Sequence, residues 1–563
     1  MIGKRPCVAA ARMSVVRRAT QASPLRRFAP NARLAIGLIG VGIGVLACSI
    51  RRPGEPSVPV LGPASADTKA SPASTQPPPA AVRHDSVPAV TQTQIPVLID
   101  SGVVHAIVDE GLHRSHIPHD VEYLTDVIGP RMTGSLSAEH AVEWTRDKFK
   151  EYGLDSVWTE SWSFGRSWER GPIALTMIAP HAQQLMGESW AWAPGTPGPE
   201  VGDVIYVDAP TPALYDEKYA SAVKGKWVMT RGPSWVWNSD GGPMSLKDTA
   251  RADSVSLTNQ ALIATPDLLE FRESLPSRLL HDGALGVLGD GGKEFGLLTM
   301  SGSPLAPYPL PYVVLPHETF AMFHRILAQG VKVTLRADIA NSLGAATVDA
   351  SNTLAEIRGT ARPDEVVLLG AHLDSWDLAT GATDNAAGAA VVLEAARILE
   401  AAHVRPARTI RFALFTGEEE GLLGSAAYAE HHMSELKQFQ AVLVLDNGTG
   451  RINGMSLQGH DDLREFWETM LKPVAALGPF TVRSRVKTGT DHLSFAAYGV
   501  PAFNYDQDSR GYGHTHHSQV DTFDHIVPGD LEQAATVMAV NAYELASAGA
   551  LLPRGPAKIV EGQ

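Results

Sequence analysis

The stretch Gly370-Ala-His-Leu-Asp-Ser-Trp-Asp-Leu-Ala-Thr-Gly-Ala-Thr-Asp-Asn-Ala-Ala-Gly388 decides how the whole sequence is interpreted. It follows the apolar run Val366–Leu369, which is typical of a buried strand, and leads into residues 386–399, which are apolar and rich in helix formers. His372 and Asp384 are therefore predicted to lie at the carboxyl end of a strand. Ligands of open α/β sheets collect in the crevice outside such strand ends, so the stretch predicts half of a ligand site.

Strand-like and helix-like segments alternate from Asn341 to the end of the chain. Such alternation indicates an α/β fold with a mixed, largely parallel sheet flanked by helices. The predicted strands end at His372, Phe415 and Leu445, and the predicted helices cover residues 386–400, 421–432, 463–471 and 530–548.

Residues 181–338 have a different character, rich in Trp, Gly and Pro with short β-like runs such as Asp203–Val207. We expect an inserted, mostly-β domain there. The α/β domain is then built from residues 98–180 and 339–552, on both sides of the insertion.

The amino-terminal region has the layout of a bacterial export signal. It is basic up to Arg33, uncharged and apolar over Leu34–Ala47, and small residues lead into Cys48 in the order Val-Leu-Ala-Cys. We predict an export signal over residues 1–47. Cys48 then becomes the lipidated first residue of the mature chain, unless the apolar run is instead a signal-anchor helix.

Residues 48–97 are rich in Pro, Ala and Ser and predict a linker that does not fold by itself. The expected location is periplasmic, extracellular or, as a tethered lipoprotein, at the membrane surface. Any membrane attachment is expected through the signal segment or a lipidated Cys48.

Charge and cysteine content exclude several classes of function. The formal net charge is −14, and the first 47 residues hold eight Lys or Arg and no acid, so the remainder is more acidic still. This argues against a nucleic-acid partner. Cys7 and Cys48 are the two cysteines, and both precede the predicted domains. Any metal there must bind to His and carboxylate side chains.

Two more groups of acids follow apolar runs. Glu418, Glu419 and Glu420 come after the strand that ends at Phe415, and Asp446 ends the apolar run Val442–Leu445. Acids at a helix start also favour the helix dipole, and an Asp at a strand end is often a turn residue. Their recurrence at successive strand ends favours a shared site instead.

Three histidines, His514, His516 and His517, lie within four positions of a later loop. A solvated loop is the alternative, but the cluster follows the acidic strand ends. The combined candidates are five nitrogen or oxygen ligands without sulfur, which suit two Zn²⁺ ions bridged by one carboxylate, with Glu418 left to act as the base. These ligands are His372, Asp384, Glu419, Asp446 and His517.

In their order and spacing, these motifs resemble metallopeptidase family 28, a family of co-catalytic di-zinc exopeptidases. The motifs are His-x-Asp at His372, Gly-Ala-x-Asp at Asp384, Glu-Glu-x-Gly-Leu-x-Gly-Ser from Glu418, a strand-end Asp446, and His-Ser-x-x-Asp-Thr from His517. Segments within 181–338 are likewise similar to the protease-associated domains often inserted in exopeptidases.

The resemblance implies a role for each residue. His372 and Asp446 bind one ion, Glu419 and His517 the other, and Asp384 bridges them. Glu418 is the general base, and Asp374 orients the ring of His372. The peptide bond after Asp384 is cis in the family. Asn385 is a departure, since some members have Asp there and others Asn; Asp377 is expected to be a loop or pocket residue.

The implied function is hydrolysis of terminal peptide bonds in dipeptides or short peptides through a metal-bridging water. Peptides are then the partners, and an oligomer is possible. Three alternatives stay open: a non-catalytic receptor, a glutaminyl cyclase on the same fold, or a chain whose inserted domain is the functional part. The motifs leave open whether the enzyme holds the free amine or the free carboxylate of its substrate.

Overall fold

The structure is a computed structural model that describes residues 100–233 and 266–555. These residues belong to one compact unit. The predicted export signal and linker, with Cys7 and Cys48, lie outside the described residues. Within the described ranges, no helix is both long enough and apolar enough to span a bilayer.

The four helices and three strand ends predicted after Asn341 lie within two residues of the observed bounds. The strands are β1 (Ser156–Glu169), β2 (Ile173–Ala179), β3 (Gln183–Leu185), β4 (Glu188–Ser189), β5 (Glu200–Tyr206), β6 (Lys226–Met229), β7 (Gly286–Asp290), β8 (Tyr312–Leu315), β9 (Thr334–Ile339), β10 (Ser342–Ile357), β11 (Arg362–His372), β12 (Arg408–Phe415), β13 (Phe439–Val444), β14 (Ile452–Ser456), β15 (Thr481–Arg483) and β16 (Ala502–Gln507). The helices are α1 (Ser101–His113), α2 (Ile117–Glu122), α3 (Leu136–Tyr152), α4 (Pro212–Lys218), α5 (Pro266–His281), α6 (His317–Ala328), α7 (Ala387–Ala401), α8 (Leu423–His431), α9 (Arg464–Met470), α10 (His492–Ala496), α11 (Tyr512–Thr515) and α12 (Pro528–Ser547).

The first sheet has eight strands in the order β1-β10-β12-β11-β13-β16-β14-β15. Its centre, β12-β11-β13-β16, is parallel, and antiparallel pairs join β1, β10 and β14 to it. This is the mixed, largely parallel sheet that the sequence predicts, with helices packed against it.

The central strands are apolar because both of their faces are covered. Every residue of β12 and β13 is buried, and α7 is buried along nearly its whole length between the sheet and the long helix α12. Gly388, in the first turn of α7, permits the close approach of this helix to the sheet. A Cβ atom there would lie 2.4 Å from the main-chain oxygen of Leu445.

The second sheet also has eight strands, in the order β3-β2-β9-β5-β6-β7-β8-β4, with β5 to β8 parallel. The region differs from the expected mostly-β character because its described residues also form three helices, α4, α5 and α6. Its strands run from Ile173 to Ile339, so it begins before residue 181. The helices were missed because the Trp- and Pro-rich composition obscures their apolar periodicity.

An apolar cluster lies where the two sheets meet. It includes Trp168, Trp192, Met300 and Trp376, all of them buried. The ring of Trp376 makes an edge contact with the ring of Trp192, and the two ring centroids are 6.3 Å apart. The same ring lies 6.0 Å from the ring of His517. Through Trp376, the apolar cluster between the two sheets therefore contacts His517, one of the predicted site residues.

Candidate metal centre

The predicted site residues lie at one edge of the first sheet. His372 is the last residue of β11, and Asp446 follows β13. Glu418 and Glu419 follow β12, and His517 lies in the loop after β16. Since these four strands are adjacent and parallel, their carboxyl ends meet at the same edge.

Asp384 lies between two imidazole rings. Its Oδ1 atom is 3.3 Å from Nε2 of His372, and its Oδ2 atom is 3.4 Å from Nε2 of His517. Nε2 of His372 is also 3.3 Å from Oδ1 of Asp446, and Nε2 of His517 is 3.0 Å from Oε2 of Glu419. The five predicted ligands thus form two groups of nitrogen and oxygen atoms that share the Asp384 carboxylate.

The turn that carries Asp384 is held by side-chain hydrogen bonds. The Asp384–Asn385 peptide bond is cis, as the resemblance implies. Asp521 accepts a hydrogen bond from the Asp384 amide at 3.1 Å. Asn385 donates to the main-chain oxygen of Leu445 at 3.0 Å and accepts from the Gly388 amide at 2.8 Å. An ionised Asp could not make the first of these two bonds, so the departure at Asn385 suits this turn.

Asp374 contacts both sides of the site. Nδ1 of His372 lies 3.1 Å from the main-chain oxygen of Asp374 and 3.5 Å from its Oδ1 atom. Its Oδ2 atom accepts hydrogen bonds from the Thr133 hydroxyl at 3.0 Å and from the Glu419 amide at 3.3 Å. A ligand histidine whose second nitrogen contacts such a group is held in one orientation.

Glu418 lies close to one of the two groups. One of its carboxylate oxygens, a ring nitrogen of His372 and an oxygen of Asp446 all lie within 4.8 Å of one another. Burial raises the pKa of Glu418 well above its usual value; His372 opposes this effect, and the negative charges of Asp446 and Asp491 add to it. The side chain is therefore well suited to accept a proton.

Other acids of the site are also difficult to ionise together. Burial raises the pKa of Glu419 well above its usual value, and burial raises the pKa values of Asp491 and Asp521 to about 7. Burial disfavours the charged form of Asp384 too, but the hydrogen bond to His372 and the charges of His516, His517 and His372 together hold its pKa below the usual value. So many acids at one place favour a bound cation.

His516, one of the three histidines of this loop, is a further ligand candidate. Its ring stacks on that of His517 with centroids 3.7 Å apart, and its Nε2 atom is 3.8 Å from Oδ2 of Asp384. Asp384, His516 and His517 form a group that could hold a metal ion. The side chain of His516 is 41% exposed and that of His517 is 21% exposed, and only His517 also contacts Glu419 among the described contacts. The contacts therefore favour His517.

The donor atoms fit a metal ion. They are imidazole nitrogens and carboxylate oxygens without sulfur, a set that zinc accepts. Oδ2 of Asp384 and Oε1 of Glu419 are buried and have no hydrogen-bond partner among the described residues. Buried carboxylate oxygens without a partner destabilise a fold, and a cation ligated there would remove that penalty.

Arg131 was not recognised from the sequence as part of the site's frame. It is fully buried and donates hydrogen bonds to the main-chain oxygens of Leu373 at 2.9 Å, Thr380 at 2.7 Å and Gly381 at 2.8 Å. These acceptors lie between His372 and Asp384 in the sequence. The available signal was an arginine within the turn 129–134, which has a glycine at each end. Apolar periodicity does not predict the surroundings of a residue in such a turn.

Asp377 does not join the predicted ligands. Its carboxylate accepts two hydrogen bonds from Arg170, at 2.9 Å and 2.8 Å. This paired geometry uses both carboxylate oxygens. Asp377 thus fastens the loop after His372 to the region where β1 leads into the second sheet.

Known proteins are similar to this chain in sequence and in fold. Residues 352–542 match the model of peptidase family M28. Carboxypeptidase Q from Mus musculus is 28% identical over 445 residues, which cover 77% of this chain and 86% of that protein. The crystal structure of a peptidase M28 precursor from Shewanella amazonensis SB2B matches with a TM-score of 0.65 and 25% identity, over 81% of this chain and 99% of that one. A zinc aminopeptidase from Bacillus subtilis matches with a TM-score of 0.53 over 76% of this chain and 94% of that one; at 19% identity this likeness concerns the fold.

The fold, the paired groups of ligand-type side chains and these matches define a metallo-exopeptidase, a hydrolase that acts at the ends of peptides. Residues 352–542 match the model of peptidase family M28, and a peptidase M28 precursor is similar to 81% of the chain. The family predicted from the motifs is thereby confirmed. That the second sheet is a protease-associated domain stays a prediction.

Proposed function

We propose that the chain is an exported exopeptidase that uses two zinc ions to hydrolyse terminal peptide bonds of dipeptides or short peptides. The observation that carries the two-ion proposal is the position of Asp384, whose two oxygens lie 3.3 and 3.4 Å from different imidazole nitrogens. Zinc is favoured by the nitrogen and oxygen donors and by the zinc aminopeptidase with the same fold.

Each ion has its own protein ligands in this proposal. His372 and Asp446 would hold one ion, Glu419 and His517 would hold the other, and Asp384 would be the ligand shared by both. When bound, zinc polarises the scissile carbonyl and lowers the pKa of the attacking water. Asp374 keeps the ring of His372 oriented through its contacts with Nδ1.

Glu418 is the general base. One of its oxygens lies within 4.8 Å of ligand atoms of His372 and Asp446. In this proposal it is left free as the base because Asp384, whose Oδ1 atom is 3.3 Å from Nε2 of His372, is the third ligand beside His372 and Asp446. Its carboxylate takes a proton from the attacking water and later returns this proton to the leaving amine. Burial, which favours its protonated form, assists the first transfer.

The substrate class is inferred from relatives together with the site. Carboxypeptidase Q and the bacterial aminopeptidases are named for opposite ends of a peptide. An enzyme of dipeptides or short peptides is consistent with both names. Export is inferred from the basic and apolar segment that ends at Cys48.

Kinetics on dipeptides with one end blocked test this proposal. The expected result is hydrolysis of an unblocked dipeptide, loss of hydrolysis after chelation, and recovery when zinc is restored. Blocking the amine and blocking the carboxylate in separate substrates identifies which end the enzyme holds. Hydrolysis that persists in the chelated, metal-free protein would contradict the proposal.

A further inference from the structure

The loop that carries His517 is held in an unusual backbone conformation. His517 has φ of 57°, in the left-handed region that non-glycine residues seldom adopt. A residue keeps such a conformation when the surrounding structure fixes it. Contacts that hold the loop around His517 come from residues 293–300, in the segment between β7 and β8 of the second sheet.

The segment after β7 reaches across to this loop through Lys293. Its ammonium group donates hydrogen bonds to the main-chain oxygens of Gly513 at 3.0 Å, His514 at 3.4 Å and His516. An ammonium group has three donors, and three carbonyl oxygens converge on it here. These oxygens belong to the end of the short helix α11 and the residue just before His517, where a cation is also favoured by the helix dipole.

The same segment makes main-chain contacts on the other side of His517. The Met300 amide donates to the main-chain oxygen of His517 at 2.9 Å. The Leu298 amide donates to Oε1 of Gln519 at 2.9 Å, and Nε2 of Gln519 donates to the main-chain oxygen of Gly296 at 3.0 Å. The loop is thus bound on both sides of His517 by residues 293–300.

We propose that Lys293 is a positioning residue of the metal centre, which gathers the carbonyls of Gly513, His514 and His516 and so aims His517 at Asp384 and Glu419. The proposal rests on the proposed function, in which His517 is a metal ligand. Under this proposal, the region of the second sheet helps to form the metal centre. Lys293, which lies outside the first sheet, sets the geometry of the ligand His517, 224 positions away in the sequence.

Lys293→Met tests this role, because it keeps the apolar stem and removes the three donors. The matched control is Lys332→Met, which removes a lysine of the same region whose Nζ atom pairs with Asp203 at 3.0 Å and whose side chain is 65% exposed. Lys293→Arg keeps the charge and part of the donor geometry. His517→Ala serves as the reference for loss of the ligand itself.

The first readout is amide hydrogen exchange of residues 512–519 in the full chain after chelation, which needs neither metal nor activity. We expect exchange to be faster by about tenfold or more in Lys293→Met, because the loss of even one of its three charge-assisted hydrogen bonds accounts for a change of about that size. Lys293→Arg should be intermediate and Lys332→Met should match the parent. Exchange in Lys293→Met that equals the parent would overturn the proposal.

The second readout is zinc affinity, measured by titration against a competing chelator. Lys293→Met should bind one of two ions more weakly, with the melting temperature of the metal-free protein close to that of the parent. Two ions held with parental affinity would overturn the positioning role. If His517→Ala also keeps both ions, the ligand assignment in the proposed function fails, whereas the exchange result still decides whether Lys293 orders the loop.

Discussion

Oδ1 of Asp384 lies 3.3 Å from Nε2 of His372, on the opposite side of the carboxylate from His517. The Asp384 amide is held by Asp521 at 3.1 Å, and the next residue, Asn385, is tied to Leu445 at 3.0 Å. The carboxylate is therefore presented to both imidazoles by a turn that the fold itself fixes.

Replacing Glu418 by Gln should remove the base and leave the metal ligands in place. We expect turnover to fall by about 100-fold or more, the usual contribution of a general base. Metal content, measured by elemental analysis, and the melting temperature should stay near the parental values. Glu430→Gln, at an exposed position of helix α8, is the control and should keep parental turnover. Near-parental hydrolysis by Glu418→Gln would remove Glu418 from the mechanism.

Replacing Asp374 by Asn should weaken the site through His372. The variant keeps the main-chain oxygen that lies 3.1 Å from Nδ1 but removes the charge of the carboxylate whose Oδ1 atom lies 3.5 Å from it. Loss of such a carboxylate partner lowers metal affinity or activity by about 10- to 100-fold. Zinc titration against a chelator measures the change. Asp377→Asn is the control, because Asp377 lies on the same loop but pairs with Arg170. Equal zinc affinity in both variants would argue against an orienting role for Asp374.

Replacing Arg131 by Met should destabilise the fold as well as the site. The variant leaves the main-chain oxygens of Leu373, Thr380 and Gly381 without their buried donor. We expect the free energy of unfolding to fall by about 3 kcal/mol, the scale for removing one partner of a buried charged network. Denaturant unfolding of the metal-free chain measures it. Arg146→Met, which breaks an exposed pair with Asp147, should change little, and an equal effect of both variants would contradict the role of Arg131.

Glu544, a buried acid on helix α12 outside the metal centre, should make the stability of the chain depend on pH. It is fully buried, with Asn541 donating to its carboxylate at 3.1 Å, and burial raises its pKa to about 8. Because the pKa is higher in the folded chain than in the unfolded one, Glu544 favours the folded state at low pH, and this contribution is lost as pH rises towards 8.

Glu544→Gln should therefore gain stability relative to the parent as pH rises from 5 to 8, by up to a few kcal/mol. Unfolding in denaturant at the two pH values, on metal-free protein, gives the difference. Glu465→Gln, at an exposed position of helix α9, is the control and should keep a constant difference from the parent. A Glu544→Gln difference that does not grow with pH would contradict the raised pKa.

The sequence was sufficient for the elements that depend on local pattern. The local pattern of apolar residues is enough to predict the strand at Val366–Leu369 and the helix that begins after Asn385. The candidate ligands were accessible for the same reason, since each follows a strand and parallel strands end at one edge.

The residues that hold the ligand loops in place could not be predicted in this way, because their contacts join distant parts of the chain. Arg131 binds the oxygen of Thr380, 249 positions away, and Lys293 binds that of Gly513, 220 positions away. Neither residue differs locally from a surface arginine or lysine. Asp377 was predicted to be a loop or pocket residue, but its partner Arg170 is 207 positions away in the sequence and no pattern links the two.

Metal content of Asp384→Ala tests the central claim most directly. Zinc bound per chain is measured by elemental analysis after dialysis against a fixed free-zinc concentration at which the parent chain is saturated. The account predicts two ions in the parent and loss or weakening of both in Asp384→Ala, because each group of ligands loses the carboxylate they share. Two ions retained by Asp384→Ala with parental affinity would contradict the bridge.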